Sequence, residues 1–404
     1  MVGERIALHA AGATLQQCRI ALLLLVAGCG GTTPDSPEST GPPGSALPGL
    51  DSARIAVFEE GKALFDREFT PEEGLGPLFN QKRCSSCHDL PTLGGEGAEP
   101  ITKVTRYDGP DRCDLLVDFG GDNIQESATP LLREFGIPYE SIPATANAVG
   151  AIIPPPLYGV GLIEAIPEAQ ITRRADPDDQ DGDGISGRVG RTTDGRVGRF
   201  GRKADIANLP DFVDGAIRFE QGITTPAHPV EEMINGKPIP PGTDPARDPE
   251  IDARRLGLLI DYVRYLAAPE REVATAAAAD TIAVGERIFA DAGCAGCHTP
   301  ALQTGSGPVE ALAGKTVRLY SDLLLHDMGE DLASVCGVGA SPSEWRTPPL
   351  MGLRSRLSFL HDGSAGSYDQ ALRRHGGEAA AARAAYHRLS EADRTALFRF
   401  LLSL

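Results

Sequence analysis

The sequence predicts a mainly α chain in two halves built on one plan, each carrying a loop-rich insertion, the larger in the N-terminal half. Three observations predict this. Helical spacing of apolar residues recurs at the beginning and end of each half, and the same pentapeptide, Cys-x-x-Cys-His, follows each opening helix. The long stretches between these landmarks are rich in loop residues, such as Pro154-Pro155-Pro156 and scattered glycines. A composition of 41% hydrophobic and 23% charged residues over 404 positions excludes a disordered chain. The net charge of −18, with no run of Lys or Arg set against it, excludes a nucleic-acid partner.

Residues 20–28 form an apolar run too short to span a bilayer, preceded by Arg5 and Arg19 and followed by Cys29. Val26-Ala27-Gly28-Cys29 resembles a bacterial lipobox. That resemblance implies a lipoprotein signal peptide over 1–28, a lipid on Cys29 that anchors the protein to a membrane, and export to the periplasm. Gly30 after that cysteine favours the outer membrane. Residues 29–50, dominated by Gly, Pro, Ser and Thr, read as a solvated tether.

The first half, 51–269, opens with a helix from Asp51 to Phe69 in which Ile55, Phe58, Leu64 and Phe65 share a face and Gly61 permits close approach. It closes with a helix from Ile251 to Ala268, halted before Pro269. A linker over 270–279 leads to the second half, 280–404. There Asp280 is placed to cap a helix through Gly285 and Phe289, and Ser390 to start a terminal helix to Leu404. A helix with glycine before an aromatic, then CxxCH, then a closing helix resembles the class I cytochrome c plan, in which first and last helices cross at a small residue.

Cys84-Ser85-Ser86-Cys87-His88 and Cys294-Ala295-Gly296-Cys297-His298 have the spacing of c-type haem attachment. Two thiols one turn apart add to the haem vinyl groups, and the adjacent histidine reaches the iron. A four-cysteine zinc site would need no histidine, and a dithiol catalyst needs a βαβ setting that neither motif has. The sequence thus points to two c-type haems with His88 and His298 as proximal ligands. On the far side of the C-terminal iron, Met328 is the first candidate and His326 the second, with a core Met beside a hydrogen-bonded His as the structural alternative. No Met lies near the N-terminal motif. Glu164, in an apolar context, is a candidate proton donor to bound peroxide, against a structural ion pair with an arginine.

Asp179, Asp181 and Asp183 fit the start of a calcium loop, D-x-D-x-D-G, but the twelfth position is Gly190 instead of Glu, which excludes a full EF-hand. A calcium loop completed from elsewhere and a solvated acidic turn both stay open. Cys113 and Cys336, one per half, are open to pairing or to separate burial.

Together with the two pentapeptides, GLIEAIP (161–167), DGDGISGR (181–188), YSDLLLHDMG (320–329), EWRTPPLMGL (344–353), LHDG (360–363) and HGGEA (375–379) resemble the bacterial di-haem oxidoreductase family. This group is distantly similar to di-haem cytochrome c peroxidases and MauG enzymes. The resemblance covers about Ser52 to Leu404 and implies two cytochrome domains and electron transfer. Met351 and Arg202 stand where the family usually has Trp, which leaves Trp345 as the only tryptophan and a candidate relay between haems. The expected activity is electron transfer from the C-terminal to the N-terminal haem, where an oxidant such as hydrogen peroxide is reduced. A small periplasmic cytochrome or cupredoxin would be the donor. A pure electron carrier with both irons six-coordinate, and a MauG-like oxidase of a partner protein, are the alternatives.

Overall fold

The computed structural model describes residues 39–404 apart from Asp111, Val273 and Ala274; the expected signal peptide and the lipid site Cys29 lie outside the described residues. The helices that frame the site are α1 (Ser52–Phe65), α2 (Leu209–Gln221), α3 (Ala253–Arg264), α4 (Ala276–Asp291), α5 (Tyr368–Arg373) and α6 (Glu391–Leu402). Side chains of Asp51 and Asp252 cap α1 and α3 by accepting from backbone N–H groups of their first turns. The two helices cross at Gly61. A Cβ there would stand 2.3 Å from the Leu258 carbonyl oxygen and 2.8 Å from Tyr262 Cβ, so the crossing needs glycine.

The second half repeats this device. α4 crosses α6 at Gly285, where a Cβ would lie 2.0 Å from the Ala396 carbonyl oxygen. α4 begins earlier than the sequence suggested: Thr275, not Asp280, caps it, because its side chain reaches Ala278 N and the following alanines are strong helix formers. The expected linker 270–279 therefore contributes its last residues to α4.

The expectation of a mainly helical chain is met only in part, because the insertion of the first half folds into small sheets. β1 (Ile101–Tyr107), rich in β-branched residues, pairs antiparallel with β2 (Ala148–Ile152), Thr105 opposite Ala148. In the second half β3 (Leu325–Asp327) pairs antiparallel with β4 (Glu344–Arg346), setting His326 opposite Trp345.

Residues 39–50 differ from a solvated tether as well. Thr40–Gly41 pairs in parallel with Ala268–Pro269, Leu47 N donates to Tyr265 O, and the Leu47 side chain is buried. One apolar side chain with a place in the core outweighs the surrounding Gly and Pro, which here shape turns.

The main core draws Phe58, Phe65 and Tyr262 from the first half and Leu302, Leu319 and Leu323 from the second. A smaller core, with Phe289, Tyr320, Tyr386 and Phe400, belongs to the second half alone. Cys113 and Cys336 form a disulfide, and Cys336 N donates to Thr105 Oγ1 of β1. Among the described residues no helix is long and apolar enough to cross a membrane.

Candidate functional site

Each pentapeptide forms one tight helical turn. In the first, Cys87 N donates to Cys84 O and His88 N to Ser85 O, which brings both thiols and the imidazole onto a single turn. Ser85 Oγ donates to Asp66 Oδ1 at 2.6 Å and so fastens this turn to the end of α1. His88 Nδ1 donates to Gly95 O at 3.1 Å, with the Pro155 carbonyl also acting on the ring. Phe65, from the crossing helix, lies 6.2 Å from the His88 ring.

The second turn repeats the first. His298 N donates to Cys294 O, and His298 Nδ1 donates to Tyr320 O at 2.9 Å. Phe289 of α4 again lies 6.2 Å from the histidine ring. Burial holds both imidazoles below their ordinary pKa, His298 down to about 4, so both are neutral at neutral pH. An Nδ1–H committed to a carbonyl leaves Nε2 as the lone-pair nitrogen, which is how proteins prepare a histidine for metal.

Burial also pushes the thiols of Cys84 and Cys87 up to about 12 and that of Cys294 up to about 11. A dithiol catalyst needs the opposite shift. All four motif cysteines are free thiols, while Cys113 and Cys336 are paired. Among the described residues the donor groups that converge as a metal cluster are carboxylates, and neither cluster contains a cysteine, so the four thiols do not form one zinc site. Two separate sets of paired thiols, each with one neutral imidazole, fit two covalently held haems.

Other expected site residues are placed as follows. Both ring nitrogens of His326 meet carboxylates, Nε2 with Asp322 at 2.9 Å and Nδ1 with Glu378 at 2.7 Å. Burial alone would lower its pKa, but bonds to Asp322, Cys297 Sγ and Glu378 raise it, so the ring is an imidazolium. Met328 packs against a cluster of Ile152, Val335 and Trp345. Glu164 accepts from Leu209 N at the start of α2 and pairs with Arg264 of α3, each at 2.8 Å. Trp345 stacks on His361 with ring centroids 3.7 Å apart, and Lys203 Nζ sits 3.4 Å from the indole centroid.

Asp179, Asp181 and Asp183 converge with one oxygen of each within 4.8 Å of the others. Their loop leads to Ile185, which packs on Gly296 of the second motif, and to Ser186, whose Oγ and N donate to Glu378. Three motifs distant in sequence thus meet at Glu378, which also holds His326 and accepts from Asp327 N. Sequence reasoning missed Glu378; only its place in the HGGEA stretch marked it. It also missed Glu96, which is buried beside the His88-binding Gly95 and held by Arg356 and Leu357 N of the other half. Nothing local to Glu96 signals that long-range pair.

A second acidic group, Glu231, Asp244, Asp248 and Glu250, brings four carboxylates within 4.8 Å. Burial, followed by repulsion from its neighbours, raises Glu231 to about 9, and burial raises Glu250 to about 7. Such groups hold protons in the folded state that they release when unfolded, so their contribution to stability is complete below about 4.5 and lost as pH rises through these values. Thermal unfolding in metal-free buffer is expected to show a Tm that declines with pH across this window. Glu231→Gln is expected to flatten the decline; an unchanged slope would refute the assignment.

Two thiol-bearing turns, each backed by a glycine crossing and a neutral buried histidine, define a two-centre redox protein. A family model described as "di-haem oxidoreductase, putative peroxidase" matches residues 144–404, and the chain belongs to this family. No curated protein matches the chain. Similar solved structures include hydrazine synthase of Kuenenia stuttgartiensis under xenon, 15% identical, covering 100% of this chain and 99% of that one, with a TM-score of 0.41. They also include a MauG-like protein associated with microbial copper homeostasis, 14% identical, covering 92% of this chain and 94% of that one, with a TM-score of 0.40.

Proposed function

We propose that the chain carries two c-type haems, one attached at Cys84 and Cys87 with His88 as proximal ligand, the other at Cys294 and Cys297 with His298, and that it transfers electrons between them. The observation that carries this reading is the repeated unit itself: paired thiols on a turn, and an imidazole tied through Nδ1 to a backbone carbonyl at 3.1 and 2.9 Å. When bound, the haems supply one-electron chemistry. The chain's own part is to attach them, fix the imidazole tautomer and wall the centres with Phe65, Tyr262, Phe289 and Phe400.

In this reading each half is a cytochrome c-like unit, fused to the other through the shared core. Hydrogen peroxide is the oxidant, reduced at the N-terminal centre, in keeping with the family's description as peroxidases. The donor is a basic periplasmic cytochrome or cupredoxin, because a chain of net charge −18 attracts a positive partner. Export and a lipid at Cys29 belong to the same proposal. Glu164, engaged by Leu209 and Arg264, joins helices in this reading, which supports the structural ion pair over the proton donor.

Cys84→Ala and Cys294→Ala are each expected to lose one of two covalent haems, measured by pyridine haemochrome and intact mass. Undiminished haem in either variant would refute that site.

Calcium at Asp179, Asp181 and Asp183 completes the proposal, the convergence of the three carboxylates supporting it. Because this loop continues into Ser186 and Glu378, chelation is expected to lower Tm and shift the C-terminal haem's midpoint potential. No change in either would count against the ion.

A further inference from the structure

We infer that His375 is the sixth ligand of the iron carried by His298, so that the C-terminal haem is held between two imidazoles. This rests on the two-haem reading above and goes beyond it by assigning the distal side.

The described histidines divide by what their rings already do. His326 has both nitrogens committed to carboxylates. His228 pairs with Asp214 and is half-exposed, His387 is exposed, and His361 lies flat on Trp345. His88 and His298 have the ligand arrangement, Nδ1 bound to a backbone carbonyl. His375 repeats that arrangement, with Nδ1 donating to Ala371 O at 2.8 Å at the end of α5. The same hydrogen bond that fixes the tautomer of a proximal ligand therefore prepares His375 Nε2 for a metal.

Its placement fits the C-terminal centre. Tyr368 and Leu372 of α5 pack against the smaller core, as do Cys294 and Ala295 of the haem motif. His375 also lies within electrostatic reach of the His298 ring. The segment after it is fixed by backbone contact: a Cβ on Gly376 would stand 2.7 Å from Met328 O, and one on Gly377 2.1 Å from Asp327 O. Glu378 then reaches His326, whose Nδ1 lies 3.6 Å from Cys297 Sγ.

Met328, the sequence's first candidate, has its side chain among Ile152, Val335 and Trp345, a cluster that contains no residue of either haem motif. Its backbone helps to place His375, and its thioether belongs to that other cluster. A second imidazole in place of a thioether would lower the reduction potential of a haem held there and leave it no open position for a small ligand. Binding of a small oxidant would then fall to the N-terminal centre.

The test uses the full-length holoprotein with haem content measured first. Two covalent haems per chain in wild type and in His375→Ala show that attachment is intact; absence of haem at Cys294 would instead refute the two-haem reading itself. Given two haems, wild type is expected to show the EPR and near-infrared signature of a bis-imidazole haem. In His375→Ala one of the two haems is expected to turn high-spin, with low spin restored by added imidazole. His375→Met is expected to gain the thioether-to-iron absorption band and a higher midpoint potential for that haem. An unchanged low-spin spectrum in His375→Ala, or loss of low spin in Met328→Leu but not in His375→Ala, would overturn the assignment.

Discussion

Gly285→Ala is expected to destabilise the protein by about 3 kcal/mol, although alanine improves helix propensity by about 1 kcal/mol. The added Cβ would sit 2.0 Å from the Ala396 carbonyl oxygen and 2.7 Å from Phe400 Cβ. The first obstacle is backbone, so neither neighbour swings aside by changing rotamer. α4 and α6 have to separate, and that opens the contacts of Phe289 with Phe400 and Tyr320 around the second motif. Gly61→Ala is expected to act alike on α1 and α3, where the first obstacle is the Leu258 carbonyl. Gly257 in α3 and Gly215 in α2 meet nothing within 4 Å. The same replacement at those positions is expected to stabilise by roughly 0.5 to 1 kcal/mol. Urea unfolding of the four variants checks the opposite signs, and destabilisation of equal size at Gly257 and Gly285 would sink the crossing argument.

These crossings explain why the helical frame was legible in the sequence. A glycine that precedes an aromatic on an apolar helical face is a local pattern, and so is a capping residue or a Cys-x-x-Cys-His turn. The two thiol-and-imidazole turns were therefore readable one motif at a time. Long-range choices were not. His326 and Met328 stand two residues apart on and beside β3, yet one meets Asp322 and Glu378 while the other enters a different cluster. That division depends on residues more than 50 positions downstream and, through Ile152, on a strand of the other half. Leu47 shows the same limit at smaller scale, since its composition-poor surroundings read as tether until Tyr265 and Ala267 supply backbone partners. An arginine partner for Glu164 was one of the alternatives open in the sequence, but only the fold identifies it as Arg264, 100 residues away.

Removing the Cys113–Cys336 disulfide by Cys113→Ala with Cys336→Ala is expected to lower stability by about 5 kcal/mol. The bond closes a loop of 223 residues, and in the chain-entropy account the loss of denatured-state freedom grows with the logarithm of loop length. Under the two-haem proposal neither attachment would shorten that loop appreciably, because each motif spans only a single turn. Native geometry around the bond has its own support: Tyr107 pairs with Cys113 across the sheet, and Cys336 N is held by Thr105 Oγ1. Under the two-haem proposal the variant should therefore have the haem content and spectrum of the unaltered protein while its unfolding midpoint falls. The urea m-value should rise as well, because a denatured chain freed of so long a loop exposes more surface. A midpoint unchanged with an unchanged m-value would show that the denatured chain is confined to the same degree without the bond, and would overturn the chain-entropy account.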